Sequence, residues 1–457
     1  MPVDAETLNA VFKAYDVRGL VDTQLDAELA RAIGAAAATV LNDPEHRVMV
    51  VGHDMRPSAD VLVPAFVDGV TSQGIDVKAM GLTSTDGLYY ASGSLDAPGA
   101  MWTASHNPAS YNGLKLCRAG AAPVSIEGGL GRIRDLVASA EAPLGAAAGS
   151  VEQVDLLSGF AAHVRSFIDV GLLTEIEIAV DAGNGMGGHV VPLVFEGLPV
   201  RVDPLFFELD GSFPNHPADP IQPENLLALE QRVVERGLPL GLAFDGDADR
   251  MFAVDETGRP IASSVIGAVV ADRLLARHPG ATVLYNLICS RTVRETIVSA
   301  GGTGIRTRVG HSFIKETMAQ TGAVFAVEHS GHYYFRENWR ADSGLIAAMF
   351  LLEAVCEAGA PLSEVVAPYD RYPASGEINF KVSDQARVSA AVSAAFAQAD
   401  HDDLDGLTVR LADGWFNLRP SNTEPLLRLN VEGDDMAAME RIRDEVAASV
   451  RASDGDS

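Results

Sequence analysis

The chain has 457 residues, 47% of them hydrophobic and 21% charged, which is the composition of a globular protein and excludes a disordered one. This length predicts about three or four domains. The formal net charge of -28 argues against nucleic acid or an anionic membrane as a partner. An anionic substrate would therefore need a locally basic cleft, so arginines inside motifs are more informative than those outside them.

Targeting segments and cysteines restrict the cell compartment. Residues 1–15 are polar and acidic without an apolar core, so we expect no signal peptide. The longest apolar run, residues 345–352, is too short to cross a bilayer. We therefore expect a soluble, cytoplasmic protein. Cys117, Cys289 and Cys356 are odd in number and lack the spacing of a metal site, which predicts buried, reduced thiols.

The first part of the chain alternates helix and strand patterns. Helices are predicted at residues 25–41 and 58–72, and strands at residues 47–51, 76–80 and 99–102. This β-α-β alternation predicts a mostly parallel sheet that binds ligands at the carboxyl ends of its strands. The small-residue segment 142–149 indicates a linker, so we place the first domain at residues 1–148.

A serine lies where the strand at residues 99–102 ends. Pro108 and the Asn112-Gly113 pair predict a tight hairpin that holds Ser105 on an exposed turn. A serine nucleophile needs a neighbouring base or charge, and His106 and Lys115 are the candidates. The chain has five lysines and 29 arginines, and a lysine, unlike an arginine, can give up a proton. Taken alone, the stretch also fits an Asn-Pro turn with a capping serine.

The second unit contains a glycine-rich loop after a strand at residues 175–180. The loop, residues 181–188, has the composition to cradle a phosphate at a helix N-terminus, but glycines at such turns more often allow close packing. A helix at residues 224–236 and a strand at residues 240–244 follow. A strand at residues 251–254 closes this unit, which we place at residues 149–254.

Three acids separate the last two strands of that unit, in the run Asp245-Gly246-Asp247-Ala248-Asp249-Arg250. Carboxylates at alternate positions can converge on one hard cation such as Mg²⁺ or Ca²⁺. An EF-hand does not fit, because Arg250 takes the sixth position, where the loop needs glycine. A solvated acidic turn is the alternative. Arg250 itself offers a fork for a phosphate near the metal.

One strand of the third unit, which we place at residues 255–367, ends in a polar cluster. Its helices are predicted at residues 264–277, 291–299 and 343–357, and its strands at residues 281–286 and 324–327. A polar turn at residues 306–312 precedes a helix that carries Lys315. The run Glu328-His329-Ser330-Gly331-His332 then combines an acceptor, a hydroxyl and two imidazoles, which suits sugar hydroxyls. Polar clusters at strand ends are also commonplace.

The last unit, residues 368–457, changes to a smaller α+β pattern. Strands are predicted at residues 377–382, 408–412 and 415–419, and helices at residues 385–398 and 436–450. The run Arg419-Pro420-Ser421-Asn422-Thr423-Glu424-Pro425, with Arg428 beyond it, supplies arginines, hydroxyls and an amide around a turn. Such a turn makes a good phosphate cradle.

The run Thr103-Ala104-Ser105-His106-Asn107-Pro108, with Asn-Gly-x-Lys downstream, resembles the phosphoserine loop of the α-D-phosphohexomutases, the phosphomannomutase/phosphoglucomutase family. The acidic run, the Glu-His-Ser-Gly-His run and the C-terminal cradle follow in the order of that family. The resemblance covers nearly the whole chain. It implies three tandem α/β domains with mixed, mostly parallel sheets and a smaller C-terminal α+β domain around a central cleft.

The resemblance also implies a role for each motif. Ser105 would carry the phosphoryl group and share Mg²⁺ with Asp245, Asp247 and Asp249. The sugar would contact Glu328, Ser330 and His332. The substrate phosphate would be held by Arg419, Ser421, Asn422, Thr423 and Arg428. The remaining cleft positions are Arg18, His106, Lys115, Arg250 and His311, with Lys115 as general base. Where many relatives have a lysine, this chain has Ile288, so one cationic contact is missing or is supplied elsewhere.

The implied reaction interconverts hexose 1-phosphate and hexose 6-phosphate through the phosphoserine and a hexose 1,6-bisphosphate, which also acts as activator. Mannose is the expected sugar, and a monomer or homodimer is the expected assembly. A phosphoglucosamine mutase, a Mg²⁺-dependent sugar phosphatase and a non-catalytic sugar-phosphate binding protein are the alternatives.

Overall fold

The computed structural model describes residues 5–41, 47–139, 147–420 and 426–454. In these residues the strands form four sheets, one after another along the chain. Each of the first three sheets mixes parallel and antiparallel pairs and packs with helices, whereas the fourth is antiparallel. This arrangement confirms the expected three α/β units and C-terminal α+β unit.

The first sheet has the order β1-β5-β4-β2-β3-β7, with β6 paired to β5. Its strands are β1 (Val17–Leu20), β2 (Val48–His53), β3 (Asp76–Leu82), β4 (Gly99–Trp102), β5 (Tyr111–Arg118), β6 (Ala122–Pro123) and β7 (Val151–Gln153). Its helices are α1 (Ala5–Val11), α2 (Ala27–Leu41), α3 (Ala59–Thr71), α4 (Thr85–Leu95) and α5 (Gly131–Ser139). β7 extends this sheet past residue 148, where we placed the end of the first domain; the domain boundaries stay a prediction.

The second sheet has the order β12-β11-β10-β8-β9, in which β8 is parallel to both of its neighbours. Its strands are β8 (Ile176–Asp181), β9 (Val200–Leu205), β10 (Leu240–Phe244), β11 (Met251–Asp255) and β12 (Pro260–Ile261). The helices of this unit are α6 (Leu157–Arg165), α7 (Gly187–Phe195) and α8 (Leu227–Arg236).

The third sheet has the order β14-β13-β15-β16, with an antiparallel pair only at the β15-β16 edge. Its strands are β13 (Thr282–Asn286), β14 (Thr303–Thr307), β15 (Phe325–Val327) and β16 (Tyr333–Phe335). Its helices are α9 (Ser263–Arg277), α10 (Arg291–Ser299), α11 (His311–Thr321), α12 (Gly344–Ala358) and α13 (Leu362–Val366).

The fourth sheet has the order β17-β21-β20-β19-β18. Its strands are β17 (Ala374–Lys381), β18 (Asp400–Asp402), β19 (Leu407–Leu411), β20 (Gly414–Pro420) and β21 (Leu426–Gly433). Two helices, α14 (Gln385–Ala395) and α15 (Met436–Asp454), complete the unit.

The second and third units share one apolar core, whereas the C-terminal unit has its own. α12 runs through the shared core, and every residue from 344 to 356 is buried. A helix that is apolar all round belongs inside a protein core, which explains the longest apolar run of the sequence. Across the described ranges, none of the helices combines the length and apolar character needed to span a bilayer. The cytoplasmic location stays a prediction.

One local prediction was wrong, and another was wrong in its bounds. Asn112 and Gly113 do not form a hairpin turn but lie in β5, where they pair with Gly19 and Arg18 of β1. Gly113 is required there for close packing, since a Cβ atom would lie 2.4 Å from the carbonyl oxygen of Val17. The polar turn predicted at residues 306–312 is shorter, because residues 306 and 307 end β14 and α11 begins at residue 311.

Candidate functional site

The loops that follow β4 and β10 meet at the carboxyl ends of their strands. The Ser105 hydroxyl donates a hydrogen bond of 2.7 Å to Asp245 Oδ2, although the two residues are 140 positions apart. Ser105 is only 4% exposed, so the prediction of an exposed turn was wrong. Its φ of 48° is unfavourable for a residue other than glycine, and such strain concentrates at functional sites.

Glycines allow three loops to interlock under this serine. A Cβ atom on Gly246 would lie 2.4 Å from the carbonyl oxygen of Ser105. A Cβ atom on Gly185 would lie 2.7 Å from the carbonyl oxygen of Gly246, which already accepts a bond from the Met186 amide. The glycine-rich loop therefore supports the acidic loop by close backbone packing, the second of the two interpretations of its sequence.

The three acids form a compact, buried group. Asp245, Asp247 and Asp249 are at most 1% exposed, and each has a carboxylate oxygen within 4.8 Å of the others. Oδ1 of Asp247 and Oδ1 of Asp249 are buried and have no hydrogen-bond partner within the described part of the chain. Leaving such oxygens unpaired costs about 1 to 3 kcal/mol each, and a hard divalent cation with oxygen ligands would satisfy both. The donor set fits Mg²⁺.

Burial and nearby charges separate the protonation behaviour of the three acids. Burial raises the pKa of Asp245 to about 7 and the pKa of Asp249 to about 6. Burial also opposes ionisation of Asp247, but the ammonium group of Lys115 outweighs it and holds the pKa of Asp247 below its usual range. Asp247 is thus the acid that stays ionised most readily.

Two cations face the acids. Lys115 Nζ donates to Asp247 Oδ2 at 2.7 Å and to Asp249 Oδ2 at 2.6 Å. Arg250 Nε donates to Asp245 Oδ2 at 2.8 Å, the same oxygen that Ser105 contacts. Burial would lower the pKa of Lys115, but its two carboxylate partners raise it well above its usual value. Lys115 is therefore protonated in this arrangement, and a role as base needs the loss of at least one of those partners.

His106 and Arg18 complete the surroundings of the serine. His106 Nδ1 lies 3.2 Å from Ser105 Oγ. Burial and the charges of Arg250 and Arg18 lower the pKa of His106 well below its usual value, so its imidazole is neutral. Arg18 donates to Asn107 Oδ1 and to Asp16, both at 2.5 Å. The guanidinium of Arg18 thus stands at the edge of the serine loop.

The Glu-His-Ser-Gly-His run borders the acid group. His332 Nε2 lies 3.7 Å from Asp249 Oδ1, and its Nδ1 lies 3.1 Å from Ser330 Oγ. Glu328 is 3% exposed, and its carboxylate accepts bonds from the Gly310 amide, Asn286 Nδ2 and the Tyr334 hydroxyl. These three donors fix the Glu328 side chain beside the cleft.

His311 stands next to this cluster at the start of α11. Its ring lies 4.4 Å from that of Tyr15, measured between centroids, so the third unit meets the first here. Burial and the charge of Lys315 lower the pKa of His311 to about 3. Ile288, where the resemblance led us to expect a lysine, is buried and adds no charge.

Asp249, His332 and Asp342 form a second group with ligand atoms close enough for a cation. Lys315 Nζ, however, lies 3.2 Å from Asp342 Oδ1. Lys115 lies at least as close to Asp247 and Asp249, so the ligand types decide between the two groups. Three carboxylates suit a hard divalent cation better than two carboxylates and an imidazole, so the group of Asp245, Asp247 and Asp249 is the better metal site.

The C-terminal unit brings a pair of arginines to the same cleft. Arg419 and Arg428 lie opposite each other on β20 and β21, and Glu377 forms ion pairs with both, at 3.3 and 3.5 Å. Burial and the charge of Arg419 lower the pKa of His329 to about 3, which reflects how close this unit comes to the Glu-His-Ser-Gly-His run. Ser421, Asn422 and Thr423 lie outside the described residues.

Several residues at the site were not found from the sequence. Thr85 begins α4 and donates from Oγ1 to Asp247 Oδ2 at 2.6 Å. Asn286 and Tyr334 hold Glu328, and Glu377 links the two arginines. Each of these residues contacts a partner that lies between 6 and 162 positions away in the sequence, and none of them belongs to a motif. The one available signal was the position of Asn286 at the end of a predicted strand.

Known proteins resemble the chain along almost its whole length. It matches the family models "Phosphoglucomutase/phosphomannomutase, alpha/beta/alpha domain I" over residues 9–142, domain II over residues 158–258, domain III over residues 263–372 and the C-terminal domain over residues 377–449. A protein named "Phosphohexose mutases" from Xanthomonas campestris pv. campestris is 39% identical over 445 residues, 96% of this chain and 99% of that protein.

Further relatives agree with this match. A protein named "Phosphomannomutase" from Salmonella montevideo is 37% identical over 449 residues, 95% of this chain and 97% of that protein. The crystal structure of a phosphoglucomutase/phosphomannomutase family protein from Burkholderia thailandensis is 30% identical and superposes with a TM-score of 0.88 over 97% of both chains. The chain therefore belongs to the phosphoglucomutase/phosphomannomutase family, the α-D-phosphohexomutases.

Proposed function

We propose that this phosphohexomutase interconverts hexose 1-phosphate and hexose 6-phosphate, with mannose phosphate as its preferred substrate and Ser105 as the residue that carries the phosphoryl group. The observation that carries the proposal is the hydrogen bond of 2.7 Å from Ser105 Oγ to an acid group with two unpaired carboxylate oxygens. The names of the relatives, phosphomannomutase among them, support the sugar class.

The proposed reaction consists of two transfers, each of a different phosphoryl group. The bond between Ser105 Oγ and phosphorus breaks while the free hydroxyl of the hexose monophosphate forms a new bond to phosphorus and releases its proton to a base. The resulting bisphosphate turns over and returns its other phosphoryl group to Ser105 Oγ by the reverse chemistry. Such a transfer depends mainly on positioning and on neutralising charge.

This chain's residues divide those tasks. Asp245, Asp247 and Asp249 would hold Mg²⁺, on which the family depends and which neutralises phosphate charge when bound. Arg250 binds the Asp245 oxygen that Ser105 also contacts, so it would face the phosphate carried by that serine. Lys115 is the proposed base for the sugar hydroxyl. These assignments rest on the contacts described above and on the family pattern.

The outer parts of the cleft would recognise the rest of the substrate. Glu328, Ser330 and His332 offer two acceptors and an imidazole to the sugar hydroxyls, and His311 lies beside them. Arg419 and Arg428, together with Ser421, Asn422 and Thr423, would bind the distal phosphate. A phosphate would replace Glu377 as the anion that the two arginines share.

A coupled assay of the purified protein tests the proposal. Mannose 1-phosphate, glucose 1-phosphate and glucosamine 1-phosphate are each supplied with Mg²⁺, with and without a catalytic amount of the hexose 1,6-bisphosphate. We expect isomerisation of the first two, stimulated by the bisphosphate, with kcat/KM values within about two orders of magnitude of each other. Release of inorganic phosphate faster than isomerisation would identify a phosphatase, and preference for glucosamine 1-phosphate would identify the other mutase branch.

A further inference from the structure

The backbone of the serine loop, residues 103–110, is held by one buried guanidinium that belongs to no motif. Arg56 is 2% exposed and lies just beyond the end of β2. Its Nη1 donates to the carbonyl oxygens of Pro108 and Tyr111, both at 2.9 Å. Its Nη2 donates to those of Ser105 at 2.8 Å and Asn107 at 2.6 Å. Four carbonyl groups from one loop and its following strand thus converge on a single side chain.

Other contacts fix the guanidinium itself. Asp54, fully buried, lies 3.3 Å from Arg56 Nε and accepts a bond from the Arg56 amide at 2.9 Å. The ring of Phe213, from the second unit, lies 5.1 Å from the guanidinium carbon. A Cβ atom on Gly211 would lie 2.8 Å from Arg56 Cα, so this segment of the second unit packs directly against the arginine.

Arg56 binds the serine loop where its backbone is strained. Ser105 has a φ of 48°, and its amide donates to the Thr103 hydroxyl at 2.8 Å. The Ser105 carbonyl oxygen, which Arg56 binds, is also the atom against which Gly246 packs. Holding that carbonyl group therefore fixes the distance between the serine loop and the acidic loop.

We infer that Arg56 is a positioning residue for the phosphoryl-transfer reaction, which keeps the Ser105 hydroxyl aligned with the acid group by binding the loop's carbonyl oxygens. It does not touch substrate; it acts through the serine loop. Lysine carries the same charge on a single ammonium group, so it cannot donate hydrogen bonds to all four carbonyl oxygens in the geometry of the guanidinium. For the kinetic effect, the inference rests on the proposed function.

Arg56→Lys is the test variant, because it keeps a cation beside Asp54. Arg165→Lys is its matched control, since Arg165 also donates to backbone carbonyl oxygens, those of Val194 and Leu193, in another part of the molecule. We expect Arg56→Lys to lower kcat by about 10- to 100-fold, the cost of a small misplacement of a reacting group. Its KM should stay within about threefold, because the substrate contacts are intact. Arg165→Lys should leave kcat unchanged.

Hydrogen exchange provides a readout that needs no turnover. The Asn107 and Tyr111 amides donate to carbonyl oxygens within the loop, and in Arg56→Lys we expect them to exchange at least about tenfold faster than in the parent protein. If the parent protein shows no mutase activity, the proposed function fails, and this comparison alone decides the role of Arg56. If Arg56→Lys melts at a much lower temperature than Arg165→Lys, Phe213→Ala is tested in its place. That variant keeps the arginine but removes the ring beside it.

The inference is overturned if the test variant keeps the loop's protection and the parent kcat. It is also overturned if kcat falls in both lysine variants in proportion to their loss of stability, because that pattern describes a structural arginine and not a positioning one.

Discussion

Replacing Asp247 by Asn tests the metal site without using activity. Asp247 is fully buried, one of its oxygens pairs with Lys115 and Thr85, and the other has no partner in the described ranges. A ligand that binds only the folded state at a hundredfold excess over its dissociation constant stabilises that state by about 2.7 kcal/mol. Unfolding entropy is about 2.1 cal/mol/K per residue, or about 1 kcal/mol/K for the whole chain, so Mg²⁺ should raise Tm by about 3 °C.

The variant should lose most of that shift. Removing one charged ligand of three lowers metal affinity by about 100-fold or more, since even outer partners of a metal site contribute 10- to 100-fold. At the same Mg²⁺ concentration the stabilisation falls to about 0.4 kcal/mol, a Tm shift below about 1 °C. Asp181→Asn is the matched control, because Asp181 is equally buried but both of its oxygens have partners, the Gly183 amide and His216.

The assay is thermal unfolding of each protein at fixed pH in chelator and in increasing Mg²⁺. Asp181→Asn is expected to melt earlier but to keep the shift of the parent protein. An unchanged shift in Asp247→Asn, or none in the parent protein, would show that the three acids do not bind the cation.

Three further outcomes are expected. Ser105→Ala should reduce mutase activity by orders of magnitude and change stability by only about 1 kcal/mol, and peptide mapping should find phosphate at Ser105 in the active parent enzyme alone. Glu328→Gln should lower kcat/KM for mannose 1-phosphate and glucose 1-phosphate together, measured in the coupled assay; loss of one sugar only would mean that C2 is recognised elsewhere. Burial raises the pKa of Asp86 to about 7, so the folded state binds more protons than the unfolded chain between about pH 4 and pH 7, and the stability from this group is lost as the pH rises through 7. Asp86→Asn should flatten that dependence, which amounts to about 3 kcal/mol at most between pH 5 and pH 8, when denaturant midpoints at those two pH values are compared.

The fold was predictable where periodicity was strong. α10 and β10 begin and end at the residues expected, because the patterns of an amphipathic helix and of an all-apolar strand leave little ambiguity about the type of element. β14, with the sequence Thr-Gly-Ile-Arg-Thr, was missed since an edge strand has few apolar residues to mark it. β21 was missed as well, although five of its residues in a row, 429–433, are buried.

The turn at Asn112-Gly113 shows why a local rule failed. That pair is a strong hairpin signal, but here Gly113 faces the β1 backbone so closely that no side chain fits. The amino-acid sequence does not distinguish a glycine needed for close packing from a glycine needed for a turn. Only the pairing of β5 with β1, which joins segments about a hundred residues apart, distinguishes the two.

The candidate site was predictable to the extent that each motif is contiguous. Chain order placed Ser105 and the acids at strand ends, and parallel sheets bring such ends together. The burial of Ser105 was not predictable, because it comes from the second unit packing over the loop at Gly246. The roles of Arg56 and Thr85 could not be predicted for the same reason. The carbonyl groups that Arg56 binds lie 49 to 55 positions away in the sequence, and the partner of Thr85 lies 162 positions away.

The balance of charge around Ser105 explains why an acidic protein of this kind would need a cation to handle phosphate. Three buried carboxylates there face two cationic side chains, Lys115 and Arg250, so full ionisation leaves one negative charge in excess. A phosphoryl group on the serine adds about two more. Burial already raises the pKa of Asp245 and of Asp249, which shows that the site resists its own negative charge before any phosphate arrives. A divalent cation among the acids would offset the added charge, satisfy the two unpaired oxygens and leave Lys115 less firmly bound to its carboxylates. The same ion would then stabilise the proposed phosphoserine and favour the proton transfer proposed for the lysine.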